Sequence, residues 1–297
     1  MTSQLCAITY DPDATTPNTA NQNGSPKHKL RRASLRRLLV LAPLLLALPV
    51  QAQAACAISR PAKFGVGAWN SYGSWQMAAD MKKISAQWYY DWQPGSSSSS
   101  NYVPMIWSAQ QINYARSTPG STLLTFNEPD NGYQANMSVS TALRYWPTLM
   151  ASGKRLSSPA VQTGNEIGSS TWLGQFMAEA ERRDYRVDFI AVHYYTTNTS
   201  VSSFKRYLTN IYNAYKRPIW VTEWALADWN NTNRFSASQQ ATFFKQSVEM
   251  MDDLSFVERH AWFGLYGNMD GWDINSELVH NRNRTTVGNA YYSEATC

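Results

Sequence analysis

Metal-binding and redox-active side chains are scarce in this sequence. Its 297 residues include three cysteines and four histidines. Cys6, Cys56 and Cys297 stand near the ends, and His193, His260 and His280 are scattered without ligand spacing, so neither a metal nor a cofactor is expected. No glycine-rich phosphate loop follows the first apolar run, which weakens an open, doubly wound nucleotide-binding sheet. The apolar run over residues 38–50 holds Pro43 and Pro49 and is too short to span a bilayer. There is no internal repeat, and the one low-complexity piece, "GSSSSS" from Gly95, reads as a loop rather than a linker.

That apolar run has a different meaning. Lys27, Lys29, Arg31, Arg32, Arg36 and Arg37 precede it, and small residues alternate after it in "QAQAAC". Basic, apolar and small-residue segments in this order make a secretory signal peptide, with Ala52-Gln53-Ala54 as the expected cleavage site. Residues 1–54 are therefore read as a leader and residues 55–297 as one catalytic domain, secreted to an extracellular or periplasmic space and free of the membrane after cleavage. The leader also holds the charge asymmetry. The whole chain carries +5, but after position 54 there remain 20 basic and 19 acidic residues. A nucleic-acid partner loses its support, and a neutral one fits better. Of the cysteines, Cys56 and Cys297 survive cleavage at the two ends of the domain, where a bridge could tie the termini together.

Short apolar runs alternate with longer amphipathic ones over the rest of the chain. The strand candidates are "KFGVG" from Lys63, "QWYYD" from Gln87, "YVPMIW" from Tyr102, "TLLTF" from Thr122, "RLSSPA" from Arg155, "VDFIAVH" from Val187, "PIWVT" from Pro218 and "HAWFG" from His260. Between the last two, Ser236 and Gln239 form a capping-box pattern, and Ala241, Phe244, Val248 and Met251 repeat at helical spacing. Strands and helices alternating in this number over this length predict an α/β fold, a single (β/α)8 TIM barrel.

In a barrel, chemistry sits at the C-terminal ends of the strands and in the loops that follow. The fourth strand runs into Asn127-Glu128-Pro129-Asp130, the sixth into His193-Tyr194-Tyr195, the seventh into Glu223-Trp224 and the eighth into Trp262-Phe263-Gly264, while the second carries Trp88, Tyr90 and Trp92. Two glutamates amid aromatic rings suit glycosidic bond cleavage. One acid protonates a poor leaving oxygen while the other meets positive charge at the anomeric carbon, and a spacing of about 5–5.5 Å lets the second bond covalently with retention. Aromatic faces complement the C–H faces of sugars, and 38 of the 243 residues after position 54 are aromatic, more than core packing ordinarily needs.

"FNEPD", "SSPA", "VDFIAVHYY" and "PIWVTEWA", in this order at the fourth to seventh strands, resemble the conserved blocks of glycoside hydrolase family 128, the group of β-1,3-glucanases and alkali-sensitive-linkage-type proteins. The resemblance implies a retaining endo-β-1,3-glucanase acting on β-glucan, with Glu128 as acid/base, Glu223 as nucleophile and Asn127 bonding the sugar 2-hydroxyl. Tyr195, Trp262, Trp88, Tyr90, Trp92 and Trp224 are matched to substrate contacts by position. His193 is left between orienting Glu223, touching sugar and serving as an ordinary hydrogen-bonded histidine.

The other acids have plainer readings. Asp130 suits a turn or helix cap; Asp91, Glu166, Asp228 and Asp270 read as surface or loop acids, with Asp91 the strongest exception. Glu128 is expected to have a raised pKa, as a general acid buried beside another carboxylate. A non-catalytic glucan-binding protein would share the aromatic groove, and a β-1,4-glucan or mannan hydrolase would share the mechanism. A monomer is expected.

Overall fold

Strand-forming and helix-forming runs alternate along the chain, and the computed structural model, which describes residues 59–69, 74–95, 101–268 and 272–297, folds them into parallel sheets clothed by helices. All described residues belong to the compact unit Gln53–Cys297. Residues 1–54, Cys56, residues 96–100 and Asp270 lie outside the described residues. Cys297 is disulfide-bonded.

The chain order is β1 (Phe64–Gly67), α1 (Ser74–Ile84), β2 (Trp88–Tyr90), β3 (Met105–Ile106), β4 (Thr122–Asn127), α2 (Val139–Met150), β5 (Arg155–Ala160) and α3 (Trp172–Arg182). It continues through β6 (Ile190–Thr196), α4 (Val201–Tyr215), β7 (Ile219–Leu226), α5 (Ala237–Asp253) and β8 (Val257–Phe263) to a short hairpin, β9 (Val279–His280) with β10 (Asn283–Arg284), and then α6 (Thr286–Ala295). One parallel sheet has the order β2-β1-β8-β7-β6, and a second has β3-β4-β5. Isolated parallel bridges, Tyr89 with Tyr102 and Ser157 with Phe189, link the sheet margins. Among the described residues the continuous closed ladder expected of a barrel is not formed: two parallel sheets stand in its place.

The reason is local. Pro104 has no N–H to donate, and β3 shrinks to two residues. On the other margin, hydroxyls and a carboxylate take over the ladder. Ser158 Oγ accepts from Ala191 N at 3.1 Å and Asp188 Oδ2 from Leu156 N at 2.7 Å, and within the second sheet Ser157 Oγ accepts from Thr125 N at 2.9 Å. Each satisfies a buried amide that would otherwise be costly.

Irregularities in the ladders decide which side chains face the functional side. Side chains alternate across a strand, so one extra residue exchanges the faces beyond it. Such a shift falls in β7 opposite the Val192/His193 step, where Val192 pairs with Val221 but His193 with Glu223. Before it, Trp220 packs in a small cluster with Trp88, Tyr90, Met105, Leu124 and Ala261. After it, Glu223 takes that side and Trp224 turns into the larger helix-packed core. The α5 capping box forms as read, and Ala241, Phe244, Val248 and Met251 are all buried.

Candidate active site

Glu128 is placed by a backbone that few residues adopt. It follows the two register shifts of β4 and has φ of +39°, a left-handed conformation disfavoured for a side chain with a Cβ. Bonds from Glu128 N to Ala160 O at 2.7 Å and from Asn131 N to Glu128 O at 3.0 Å hold the turn. Asp130 braces it from outside, accepting from Gln162 N at 3.2 Å and Asn165 Nδ2 at 2.7 Å, so it ties two loops together rather than capping a helix.

The two glutamates have different partners. Glu128 accepts from Asn131 Nδ2 at 2.9 Å and pairs through Oε1 with His193 Nδ1 at 2.9 Å. Glu223 accepts from Trp92 Nε1 at 2.8 Å and Tyr195 Oη at 2.8 Å, on opposite oxygens. Tyr90 Oη stands 3.3 Å away, its main acceptor being Thr222 O at 2.8 Å. His193 lies between the acids: its Nε2 is 3.4 Å from Glu223 Oε1, without hydrogen-bond geometry. One oxygen from each glutamate and one ring nitrogen fall within 4.8 Å of one another. Two carboxylates and an imidazole are also a donor set that could take a cation, but here Nδ1 is already engaged by Glu128.

Charge sharing follows from this geometry. Burial pushes the Glu128 carboxyl up, but the hydrogen bond and charge of His193, with the Asn131 amide, outweigh it and hold the carboxyl below its ordinary value. That corrects the expectation of a raised Glu128. For His193, burial opposes protonation, yet the charge of Glu223 and the bond and charge of Glu128 raise it above the usual imidazole range. Both shifts run in the direction that favours positive charge on the imidazole and negative charge on Glu128. Tyr90 and Tyr195 are pushed up by burial and then by the Glu223 charge, so both remain donors.

In front of this triad opens a cavity of about 720 Å³, to which Asn127, Glu128, Trp92, Tyr195 and Glu223 contribute. Asn127 gives Nδ2 to Gln134 at 3.2 Å and keeps a buried, unpartnered Oδ1. No lysine, arginine or aspartate is among the described lining residues.

Of the expected substrate contacts, Tyr90 and His193 are fully buried and reach the glutamates rather than line the cavity, and three tryptophans are elsewhere. Trp262 is fully buried, donates Nε1 to Ser276 O at 2.7 Å and lies edge-on to Trp224 with ring centroids 4.6 Å apart. Trp224 is equally buried, stacked 5.5 Å from Phe244. Trp88 lies below the cavity in the small cluster, its Nε1 on Lys63 O at 3.0 Å. The lining rings that were not expected are Phe263, one residue past Trp262 and so on the other face, and Trp69, Trp107, Tyr133, Trp229 and Trp272, which follow β1, β3, β4, β7 and β8. Trp229 and Trp272 are 41% and 46% exposed and pack 5.3 Å apart; large exposed rings just beyond strand ends were the available signal.

The remaining acids also sort themselves. Asp91 accepts from Tyr102 Oη at 2.6 Å and fastens its own loop, while Asp228 pairs with Arg234 at 2.9 Å. Glu166 is not a surface acid, being only 3% exposed.

Residues 66–291 match a family model described as glycosyl hydrolase catalytic core. The chain is 35% identical over 188 residues to alkali-sensitive linkage protein 1 of Schizosaccharomyces pombe, a match covering 59% of this chain and 34% of that protein, so it spans about a third of that relative. Among solved structures it is similar to a subgroup I endo-β-1,3-glucanase of family 128 from Amycolatopsis mediterranei bound to laminaritriose, with 38% identity, a TM-score of 0.69, and coverage of 78% of this chain and 99% of that one. A subgroup III curdlan-specific exo-β-1,3-glucanase from Blastomyces gilchristii, bound to glucose, matches with 26% identity and a TM-score of 0.61 over 78% of this chain and 99% of that one.

Proposed function

Since this chain belongs to glycoside hydrolase family 128, we propose that it is a secreted, monomeric, retaining endo-β-1,3-glucanase whose reaction is carried by Glu128 and Glu223. The observation that carries this reading is the approach of one Glu128 oxygen to one Glu223 oxygen within 4.8 Å, with Asn131 on the first carboxylate and Trp92 and Tyr195 on the second. It fits the separation of about 5–5.5 Å at which direct nucleophilic attack is possible, and is short of the roughly 6.5–9.5 Å that admits a water. As part of the same proposal the two parallel sheets close into a (β/α)8 barrel through the Tyr89–Tyr102 and Ser157–Phe189 bridges.

Glu223 is the nucleophile, aimed by Trp92 and Tyr195. Its attack on the anomeric carbon breaks the glycosidic bond while Glu128 delivers a proton to the departing oxygen. That proton comes from His193 Nδ1, 2.9 Å from Glu128 Oε1, and the same path returns it when Glu128 deprotonates the water that cleaves the glycosyl-enzyme. Asn127, with a free Oδ1 at the cavity, is the contact for a sugar hydroxyl. Rings and amides without cations suit a neutral β-glucan. Incubation with laminarin, curdlan, a β-1,4-glucan and a β-1,4-mannan tests the reading. Mixed laminari-oligosaccharides are expected from the first two. Glucose alone would mean exo action, cleavage confined to β-1,4 chains would overturn the linkage, and no cleavage would leave a binding protein.

A further inference from the structure

Behind the cavity, the loop after β5 folds back onto α4. Gln162 and Thr163 of this loop line the cavity, and three residues further on Glu166 is buried. Glu166 Oε1 lies 2.6 Å from Tyr207 Oη, and Gly164 N reaches both carboxyl oxygens, at 2.9 and 3.1 Å. Tyr215 Oη donates to the Glu166 carbonyl. The same Tyr207 oxygen lies 2.9 Å from the carbonyl of His193, which also accepts from Thr163 Oγ1 at 3.0 Å. His193 is the residue at the β6–β7 register shift.

A phenol has one hydrogen, and here it faces two acceptors. If Glu166 were a carboxylate, Tyr207 would have to give its hydrogen to the charged oxygen at 2.6 Å, leaving two oxygens face to face at 2.9 Å without a proton between them. A neutral acid resolves the conflict, because its own O–H can supply the shorter contact. We propose that Glu166 is a protonated carboxylic acid that donates to Tyr207, so that Tyr207 donates to the His193 carbonyl and Glu166 acts as a positioning residue for the imidazole shared by the two catalytic glutamates. The surroundings agree. Tyr207 and Tyr215 of α4, Asp130 after β4 and, beyond Tyr207, Tyr194 of β6 face the group, and among the described residues no lysine or arginine pairs with it. Burial pushes its carboxyl up, against the bonds from Tyr207 and Gly164, and the charge of Asp130 adds to the rise.

Infrared difference spectra of wild type against Glu166→Gln at neutral pH test the proton directly. A carboxylic-acid carbonyl band that shifts in heavy water and disappears in the variant is expected. Absence of the band, or its survival in Glu166→Gln, would overturn the proposal; carboxyl-carbon NMR of glutamate-labelled wild type reads the same state should the variant not fold. The kinetic arm rests on the glucanase reading. Glu166→Gln, whose amide still donates to Tyr207, should keep kcat on laminarin within about twofold, while Glu166→Ala and Tyr207→Phe lower it roughly fivefold to tenfold. KM should hold within about twofold, since neither residue lines the cavity. A Gln variant as slow as the Ala variant would refute the relay. Wild type inert on laminarin would end the glucanase reading and leave the infrared result to decide the proton.

Discussion

Trp262→Ala separates packing from catalysis, because Trp262 and Phe263 are adjacent yet serve different faces of β8. Trp262 is fully enclosed between Trp224 and Phe244, with centroid distances of 4.6 and 5.3 Å, and its indole N–H satisfies Ser276 O. Truncation loses the transfer energy and leaves a cavity, about 3–5 kcal/mol, and stranding the Ser276 carbonyl adds about 1–3 kcal/mol where water cannot enter. Partial collapse makes the two less than additive, so a total of about 4–6 kcal/mol is expected. In a domain of this size each kcal/mol lowers Tm by roughly 2–4 °C, which gives a fall of about 8–24 °C. Phe263→Ala should do the reverse. That ring lines the cavity and meets Tyr195 and Trp92 edge-on at 5.4 and 6.0 Å, so turnover should suffer more than stability. Calorimetry and laminarin hydrolysis on the same preparations, with rates expressed per folded molecule, distinguish the faces. A Trp262→Ala protein with an unchanged Tm and a large loss of turnover would show that Trp262 touches substrate and that the assignment of faces in β8 is wrong.

Removing His193 should move the pH profile. The wild-type alkaline limb of kcat/KM should lie above the ordinary imidazole value of 6.5, since the neighbouring glutamates raise it, and in His193→Gln it should fall to the titration of Glu128 alone; coincident limbs would place the proton elsewhere. His260 is a separate case, buried against Phe64 with Nδ1 unpartnered and its pKa lowered to about 3. Between pH 3 and 6.5 the unfolded chain binds the proton that the folded one refuses, so stability should decline as pH falls through that window, by up to ~5 kcal/mol. His260→Phe should flatten this slope in urea midpoints taken against pH, and an unchanged slope would refute the assignment. For the disulfide at Cys297, a Cys56–Cys297 peptide is expected in digests of unreduced protein, with a loss of about 2–5 kcal/mol in Cys297→Ser; a Cys6 peptide, or no change in stability, would contradict it.

The strand-end positions of Glu128, Glu223 and His193 and the capping box of α5 could be read from local pattern alone, because each depends on its place relative to a strand or helix end. The errors share a cause. Trp224, Trp262 and Trp88 were assigned to the substrate by nearness to a strand end, whereas contact depends on face and depth, and face in turn depends on ladder shifts such as the one at Thr222 and Glu223 that have no sequence signature. The raised pKa expected for Glu128 failed for a related reason. His193 lies 65 positions away in the chain, and its place at 2.9 Å from Glu128 is a product of the fold. Glu166 looked like a surface acid since nothing in "TGNEIG" announces that Tyr207 and Tyr215 close over it.

The anomeric form of the first product tests the pairing of Glu128 with Glu223 most directly. Proton NMR recorded during the first minutes of laminari-oligosaccharide hydrolysis, before mutarotation, should show new reducing ends in the β-configuration, as double displacement through Glu223 requires. Initial release of the α-anomer would mean a single displacement by water and would contradict a nucleophilic Glu223, whatever the distance between the two carboxylates.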